Sequence, residues 1–347
     1  MTSLYLQEPN ARVEKEYDRI IITIDGEVIN AMPLRKLTDI IIIGNCGITT
    51  QALLALLDNQ ISLTFVTRSG KIRGRLQSYL GKLPQTPLAQ YLKQQSPEFC
   101  LLISKQIVTG KLDNYEVMMR RFARKKSSAI NENETLDKSL LVGDRNLADE
   151  MDPIKSKVKE ATTLEEIRGF EGYGSRLYFK TFFSSLAGDP ELTIARRQKR
   201  PPKDPINSML SLGYTLLCQS VLTAIIICNL DPTIGFFHTN RNGRPSLAMD
   251  LMEEFRTIIV DSLVLRLVNQ KIITKSHFFT DEDGSVRFTK EGMGIFISQY
   301  QKRISMKVVY PGVNRKLEYR ECFEMQGRNF FNYVNDKIEA YTPFTWR

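Results

Sequence analysis

Only two histidines occur in 347 residues. One of them, His238, lies in a polar stretch marked by Gly and Pro, Gly235-Phe-Phe-His-Thr-Asn-Arg-Asn-Gly-Arg-Pro245. An apolar-periodic segment that reads as a helix follows directly and carries Asp250 and Glu253. Residues three apart on a helix lie one turn apart on the same face, so these two carboxylates stack. A neutral imidazole brought from a loop to two stacked carboxylates is a ligand set for a divalent ion such as Mn²⁺ or Mg²⁺. A lone histidine serves equally well as a structural hydrogen-bonding group, and the local pattern leaves both readings open.

A second region is locally odd. Thr162 and Thr163, each followed three residues later by Glu165 and Glu166, form capping-box patterns that open a helix. Gly169, Gly172 and Gly174 then fall inside that helix, each costing about 0.8–1.0 kcal/mol relative to Ala. Close approach of another helix, a substrate backbone or a metal site would supply a reason. Glu171 stands among these glycines, flanked by aromatics. It reads either as a working carboxylate in crowded surroundings or as an exposed one beside a tight helix crossing.

The elements that must position these groups are of two kinds. Up to about residue 88 the chain reads as β-rich. Arg19–Ile24, Asp39–Ile43, Ile61–Val66 and Lys71–Gln77 are short runs suited to strands, and Thr50–Asp58 suits one helix packed on them. Pro84 and Pro87 mark the boundary, and the pattern beyond them is helical. Helices are expected over Pro97–Lys126, Leu136–Met151, Thr163–Leu186, Pro205–Asn229, Ser246–Asn269, Thr289–Lys307 and Arg315–Ala340, with a hairpin at His277–Thr289 turning at Glu282-Asp-Gly284. The expected fold is therefore α+β. A small β-rich N-terminal domain, 1–88, precedes a larger all-helical C-terminal domain, 89–347, that carries the metal site.

A net charge of +9 favours a polyanionic partner, with nucleic acid the default and an acidic membrane surface behind it. The five cysteines, Cys46, Cys100, Cys218, Cys228 and Cys322, are scattered and form no Cys-x-x-Cys pair. They suggest neither structural zinc nor a disulfide framework, and so a reducing, cytoplasmic setting. The N-terminus lacks the basic-then-apolar order of a signal peptide. No charged residue occurs between Asp204 and Asp231. Polar residues such as Asn207, Ser208 and Gln219 interrupt that stretch, which is expected to be the central buried helix, with no membrane partner.

Four segments occur in order: Phe170-Glu-Gly-Tyr-Gly-Ser-Arg-Leu-Tyr-Phe179, Arg200-Pro-Pro-Lys-Asp-Pro-Ile-Asn207, Gly235-Phe-Phe-His238 and Arg244-Pro-Ser-Leu-Ala-Met-Asp-Leu-Met-Glu-Glu-Phe-Arg256. Together with Gln326-Gly-Arg328 and Pro343-Phe-Thr-Trp346 near the C-terminus, they resemble the CRISPR-associated integrase and endonuclease family, the metal-dependent catalytic subunit of the spacer-acquisition complex. The resemblance covers essentially the whole chain. By position it implies that Glu171, His238 and Glu253 are metal ligands and catalytic residues, holding Mg²⁺ or Mn²⁺. Asp250, one turn before Glu253, is implied as catalytic support. Glu254 lies about a hundred degrees round the helix and should face away. His277, outside every motif, is expected to be structural or exposed.

The resemblance also implies a reaction: joining the 3′-hydroxyl ends of a captured DNA fragment to phosphodiesters at the ends of a CRISPR repeat. A metal there lowers the pKa of the attacking hydroxyl and neutralises phosphate oxygens. The expected partners are double-stranded DNA, both captured fragment and repeat, and a second copy of the chain dimerising through the β-rich domain. A small second adaptation subunit would bridge two such dimers into a hetero-hexamer. Phosphate contacts are expected from Arg176, Lys203 and Arg244, which lie in or beside the resembling segments, and from Arg197 and Arg200 in the run Arg196-Arg-Gln-Lys-Arg-Pro-Pro-Lys203. A second basic cluster spans Arg120–Lys126. The alternative enzymatic reading is a structure-selective endonuclease acting on branched DNA with the same residues. A non-catalytic DNA-binding scaffold would have no need of all three ligands.

Overall fold

The computed structural model describes residues 2–6, 8–67, 72–76, 78, 85–129, 141–142, 145–187, 190–192, 202–311, 313 and 315–346. The chain divides into two compact units, Met1–Leu83 and Pro84–Arg347. In the first, β1 (Thr2–Leu6), β5 (Leu37–Ile43) and β7 (Ser62–Val66) run parallel, and β8 (Ile72–Leu76) closes the sheet antiparallel to β7. Ile40 to Ile43 are all buried, as expected of a parallel strand covered on both faces. A second sheet has the order β4 (Glu27–Pro33), β3 (Arg19–Ile24), β2 (Ala11–Glu16), β6 (Gly47–Ile48). Asp25 and Gly26 both take positive φ, 49° and 88°, the backbone required by the two-residue turn joining β3 to β4. The helix α1 (Thr50–Asp58), capped by Thr49, packs into the common core through Ala52, Ala55 and Leu56.

The second unit is mainly helical: α2 (Gln85–Gln94), α3 (Pro97–Ala129), α4 (Met151–Glu160), α5 (Leu164–Ser184), α6 (Pro205–Ile227), α7 (Ser246–Met252), α8 (Ser262–Asn269), α9 (Lys290–Ile304) and α10 (Tyr319–Val334). Helix α6, uncharged and long enough to cross a bilayer, is the core helix of this unit. Asn207, Ser208 and Gln219 are buried within it alongside its apolar residues. Asp204 caps it by accepting a hydrogen bond from the Asn207 amide at 2.8 Å.

Three expectations are corrected here. The helix expected over Leu136–Met151 is instead a pair of two-residue strands, β9 (Leu141–Val142) and β10 (Arg145–Asn146), then a 3₁₀ turn leading into α4. Residues 136–140, 143 and 144 lie outside the described residues. Arg315–Ala340 is shorter than expected. Lys316–Glu318 forms a strand, β14, paired with β13 (Lys307–Val309), so the unit is not all-helical. The expected hairpin is present as β11 (Phe278–Thr280) and β12 (Val286–Phe288). The third correction concerns Ser246–Asn269, which is not one helix. After α7 the chain makes a turn of π-helix at Arg256–Asp261 before α8. The Ile258 carbonyl there accepts from the Arg303 guanidinium at 3.1 Å and from the Ser262 hydroxyl. Those side-chain donors make the wide turn tolerable in a buried segment.

Helix α5 crosses α3, and the glycines singled out above divide between two roles. A Cβ at Gly174 would stand 2.5 Å from Leu112 Cδ2, whereas at Gly169 and Gly172 it would meet nothing within 4 Å. Of the three, only Gly174 is crowded at the helix crossing. Gly174→Ala should therefore cost about 1–3 kcal/mol through overpacking. Gly172→Ala should stabilise by roughly 0.5–1 kcal/mol through helix propensity. Urea midpoints for the two variants test the contrast, and a shift of the same sign in both would contradict it.

Candidate metal centre

The site forms where α3, α5, α7 and the loop before α7 meet. Asp250 is fully buried on α7 and points into that loop. Its carboxylate accepts hydrogen bonds from the backbone amides of Phe236 (2.7 Å), Phe237 (3.1 Å) and His238 (2.8 Å). It also lies 2.7 Å from His238 Nδ1. With three amides already donating to this carboxylate, the imidazole proton belongs on Nδ1, which leaves the Nε2 lone pair free. Gly235 permits the close approach of loop to helix, since a Cβ there would stand 2.6 Å from Ser246 Cβ and 3.0 Å from Asp250 Oδ2.

Nε2 of His238 faces Glu253 Oε1 at 3.7 Å, beyond hydrogen-bond distance. Glu253 ends α7 and is 2% exposed. Its other oxygen lies 2.6 Å from Lys111 Nζ on α3, and the same ammonium contacts Glu171 Oε1 on α5. Glu171 also accepts from Ser175 Oγ at 2.7 Å, one turn along α5. Arg256 Nη2 lies 3.2 Å from Glu253 Oε1. Beneath this layer Tyr115 stacks on Tyr178 with centroids 3.9 Å apart, and Tyr178 and Tyr214 both donate to Asp261. One further link joins two of the elements: Arg168, one turn before Glu171, donates to the Phe237 carbonyl at 2.9 Å.

Burial opposes the charge of Glu253, Glu171, Lys111 and Arg256, and the neighbours overturn it. Glu253 is held down at about 2 because the full charges of Arg256 and Lys111 outweigh its desolvation. Glu171 is also lowered, with Lys111 and the Ser175 hydroxyl acting against burial and the nearby Glu253. Lys111 is raised despite complete burial, chiefly by Glu253, Tyr115 and Glu171.

Glu254 has the opposite surroundings. It points away from the imidazole into the core, where it accepts from Tyr341 Oη (2.5 Å), the Phe344 amide (2.7 Å) and Gln326 Nε2 (2.8 Å). Asn114 ties the Glu254 and Phe344 carbonyls together and accepts from the Trp346 amide. The segments around Gln326 and Pro343–Trp346 thus close over the residue next to Glu253. His277 lies elsewhere, its Nδ1 accepting from the Thr274 amide at 3.0 Å.

The structure thus brings Glu171, His238, Asp250 and Glu253 together. Among the described residues no three His, Cys, Asp or Glu side chains already surround a common point, because the Lys111 ammonium stands between the two glutamates. The donor chemistry still fits a divalent cation: two ionised carboxylates and one unprotonated imidazole nitrogen. The expected phosphate contacts stand further out. Lys203 and Arg176 are exposed, the latter over the Tyr173 ring, and Arg244 is half-buried against Met249 Sδ at 3.0 Å. Arg197 and Arg200 lie outside the described residues. In the second basic cluster Arg120 pairs with Glu116 and Asp149, and Arg121 packs 3.5 Å from the Trp346 ring centroid. Sequence reasoning gave no role to Lys111, Arg256, Arg168 or Ser175. Lys111 had a signal: it interrupts the buried ridge Ile103, Ile107, Tyr115, Met119 at four-residue spacing.

Fold and site define a class: a two-unit α+β protein whose helical unit buries a carboxylate–imidazole cluster suited to a divalent ion. Residues 4–302 match the family described as CRISPR associated protein Cas1. The CRISPR-associated endonuclease Cas1 3 of Thermus thermophilus is 31% identical over 99% of this chain and 97% of its own. Cas1 of Leptospira interrogans is 35% identical over 75% of this chain and 98% of its own. The solved Cas1 of Thermotoga maritima is 25% identical and superposes with a TM-score of 0.80 over the whole of both chains. A casposase bound to its integration product shares the fold at 23% identity, with a TM-score of 0.83 over 99% of this chain and 93% of its own. The chain belongs to the Cas1 family of CRISPR-associated endonucleases, and it is an enzyme of that family.

The buried Glu254 supplies a pH test. Burial pushes its carboxyl from an ordinary 4.5 up to about 8, against the three donors that favour the charged form. Between those values the unfolded chain has released this proton while the fold retains it, so the contribution to stability is full below 4.5 and declines as pH rises. The slope is about 1.4 kcal/mol per pH unit. Glu254→Gln, which keeps the shape and has no proton to lose, should abolish that slope. Urea unfolding at several values between pH 5 and 8 is the measurement, and parallel curves for parent and variant would count against it.

Proposed function

We propose that this chain is a divalent-metal-dependent DNA integrase of CRISPR adaptation. It joins the 3′-hydroxyl ends of a captured double-stranded fragment to the CRISPR repeat. One observation carries the reading: the imidazole of His238, held by Asp250, presents its free nitrogen to Glu253 where Glu171 also converges. The bound ion, Mg²⁺ or Mn²⁺, would supply Lewis acidity to the attacking hydroxyl and to the phosphate oxygens. Glu171, Glu253 and His238 Nε2 are the groups to hold it. Asp250 keeps the imidazole in the productive tautomer and orientation. Arg256 holds Glu253 in place. In the reaction a 3′-oxygen forms a new bond to phosphorus as the bond to the repeat strand's 3′-oxygen breaks, and no water is consumed. Exposed Lys203 and Arg176, with Arg244 just before α7, would neutralise phosphates without reading sequence.

In this reading the protein works in the cytoplasm as a homodimer paired through the β-rich unit, and a small second adaptation subunit bridges two dimers. The solved Cas6-RT-Cas1–Cas2 complex contains a chain with this fold, at a TM-score of 0.80 and 21% identity, spanning 99% of this chain and 36% of that one. That neighbour supports the expectation of a second subunit. The endonuclease designation of the relatives favours one further reading: hydrolytic nicking of branched DNA at the same site, with water as the nucleophile.

A repeat-bearing plasmid incubated with 3′-hydroxyl or 3′-blocked fragments, with and without the second subunit, separates the two. Integration requires the free hydroxyl; nicking proceeds with either. Glu171→Ala, His238→Ala and Glu253→Ala should each lower strand transfer by about 100-fold or more. Asp250→Asn should weaken metal binding by roughly 10–100-fold through a misoriented imidazole. Near-parental strand transfer by purified His238→Ala would refute the assignment.

A further inference from the structure

Lys111 is a charged residue that neither the sequence motifs nor the proposed chemistry uses, yet it occupies the middle of the site. Its side chain is 4% exposed, and that of Glu253 is 2% exposed. The ammonium lies 2.6 Å from Glu253 Oε2 and in direct contact with Glu171 Oε1. A buried carboxylate facing a second, partly buried one without a counter-charge would be unfavourable, so this position favours a cation whether or not a metal is present. Glu253 and Glu171 are also among the groups that would hold a divalent ion. An ammonium in contact with both carboxylates would compete for them with such an ion.

We propose that Lys111 is a built-in placeholder cation. It holds the two glutamates in place against their mutual repulsion while the site is empty, and it must swing aside when the metal enters. The lysine stem is suited to this, being long and flexible, with the Tyr115 ring centroid 5.4 Å from Nζ beside it. The adjoining cation, Arg256, contacts Glu253 through its other oxygen and bears on Tyr214, so it need not move. Lys111 is on this account a positioning residue whose presence weakens metal binding while sustaining the unloaded fold. This inference rests on the metal reading above and adds to it the group that competes for the site.

Removal of the ammonium tests both parts. Mn²⁺ is titrated into chelator-treated full-length protein and binding is read by calorimetry and by the resonance of free Mn²⁺, for the parent, His238→Ala, Lys111→Met and Lys111→Gln. Melting temperatures are recorded with chelator and with Mn²⁺. The expected result is that both Lys111 variants bind Mn²⁺ more tightly than the parent, by about tenfold or more. They should melt below the parent in chelator and recover when Mn²⁺ is added. A lysine that merely shapes the pocket would instead give equal or weaker binding in the variants, which overturns the proposal while leaving a metal-binding parent intact. Failure of parent and Lys111 variants alike to bind Mn²⁺ removes the metal reading itself, and the placeholder with it. Should Lys111→Met not fold, Lys111→Gln carries the comparison; if neither folds even with Mn²⁺, a metal ion cannot replace the ammonium and the proposal falls.

Discussion

The Asp250 carboxylate fixes the geometry on which the rest of the site depends. A carboxylate buried without donors would be costly, and its cheapest resolution is to recruit backbone amides that have no other partner. The loop at Phe236–His238 supplies three of them in succession, and the imidazole adds a fourth contact. The same bonds that satisfy a buried charge therefore determine where His238 sits, which way its ring faces and which nitrogen carries the proton. Gly235 makes this possible by admitting Ser246 and Asp250 to a distance that a side chain would forbid. Arg168 then carries the constraint across to α5, because it grips the Phe237 carbonyl from one turn before Glu171. Helix α7, the loop and α5 form one hydrogen-bonded frame, though the residues involved lie far apart along the chain.

Much of this frame was legible in the sequence. The spacing of Asp250 and Glu253 placed both carboxylates on one helical face, and the Gly- and Pro-marked stretch before them correctly read as a loop delivering His238. The capping box at Thr163 opens α5 where the pattern put it, with Thr163 Oγ1 accepting from the Glu166 amide. The apolar run after Asp204 became the core helix. Each of these signals is local: a cap, a period or a breaker residue acts within a turn or two of itself.

What escaped notice was set by contacts between distant segments. Ser246–Asn269 has unbroken apolar periodicity, but the chain must aim Glu253 at the site and send Phe255 and Ile258 into the core a few residues later. A π turn resolves the conflict, and its carbonyl is satisfied by Arg303 from α9. Nothing within residues 246–269 announces a donor at 303. Lys111 escaped for the same reason. A lysine in an apolar ridge reads locally as a residue lying along the surface with its head in water, and only the carboxylates of α5 and α7 reveal why its head is buried. The three glycines of α5 looked alike in sequence, yet only Gly174 is crowded, by Leu112.

Glu253 and Glu254 show how completely such partners decide chemistry. They are the same residue type, adjacent in the chain and both fully buried, so desolvation raises the pKa of each. The partners differ in kind. Glu253 faces Arg256 and Lys111, whose full charges more than offset the cost of burial, and its carboxylate stays ionised down to about 2. Glu254 faces a tyrosine hydroxyl, a backbone amide and a glutamine, which are dipoles rather than charges, and burial prevails to lift it to about 8. One residue step along the backbone thus separates an anionic group, fit to hold a cation, from a carboxyl that burial keeps neutral at pH 7 and that fastens the C-terminal segment at Tyr341 and Phe344. Helical geometry points the two side chains in different directions. The charges waiting in each direction assign one to the site and the other to the fold.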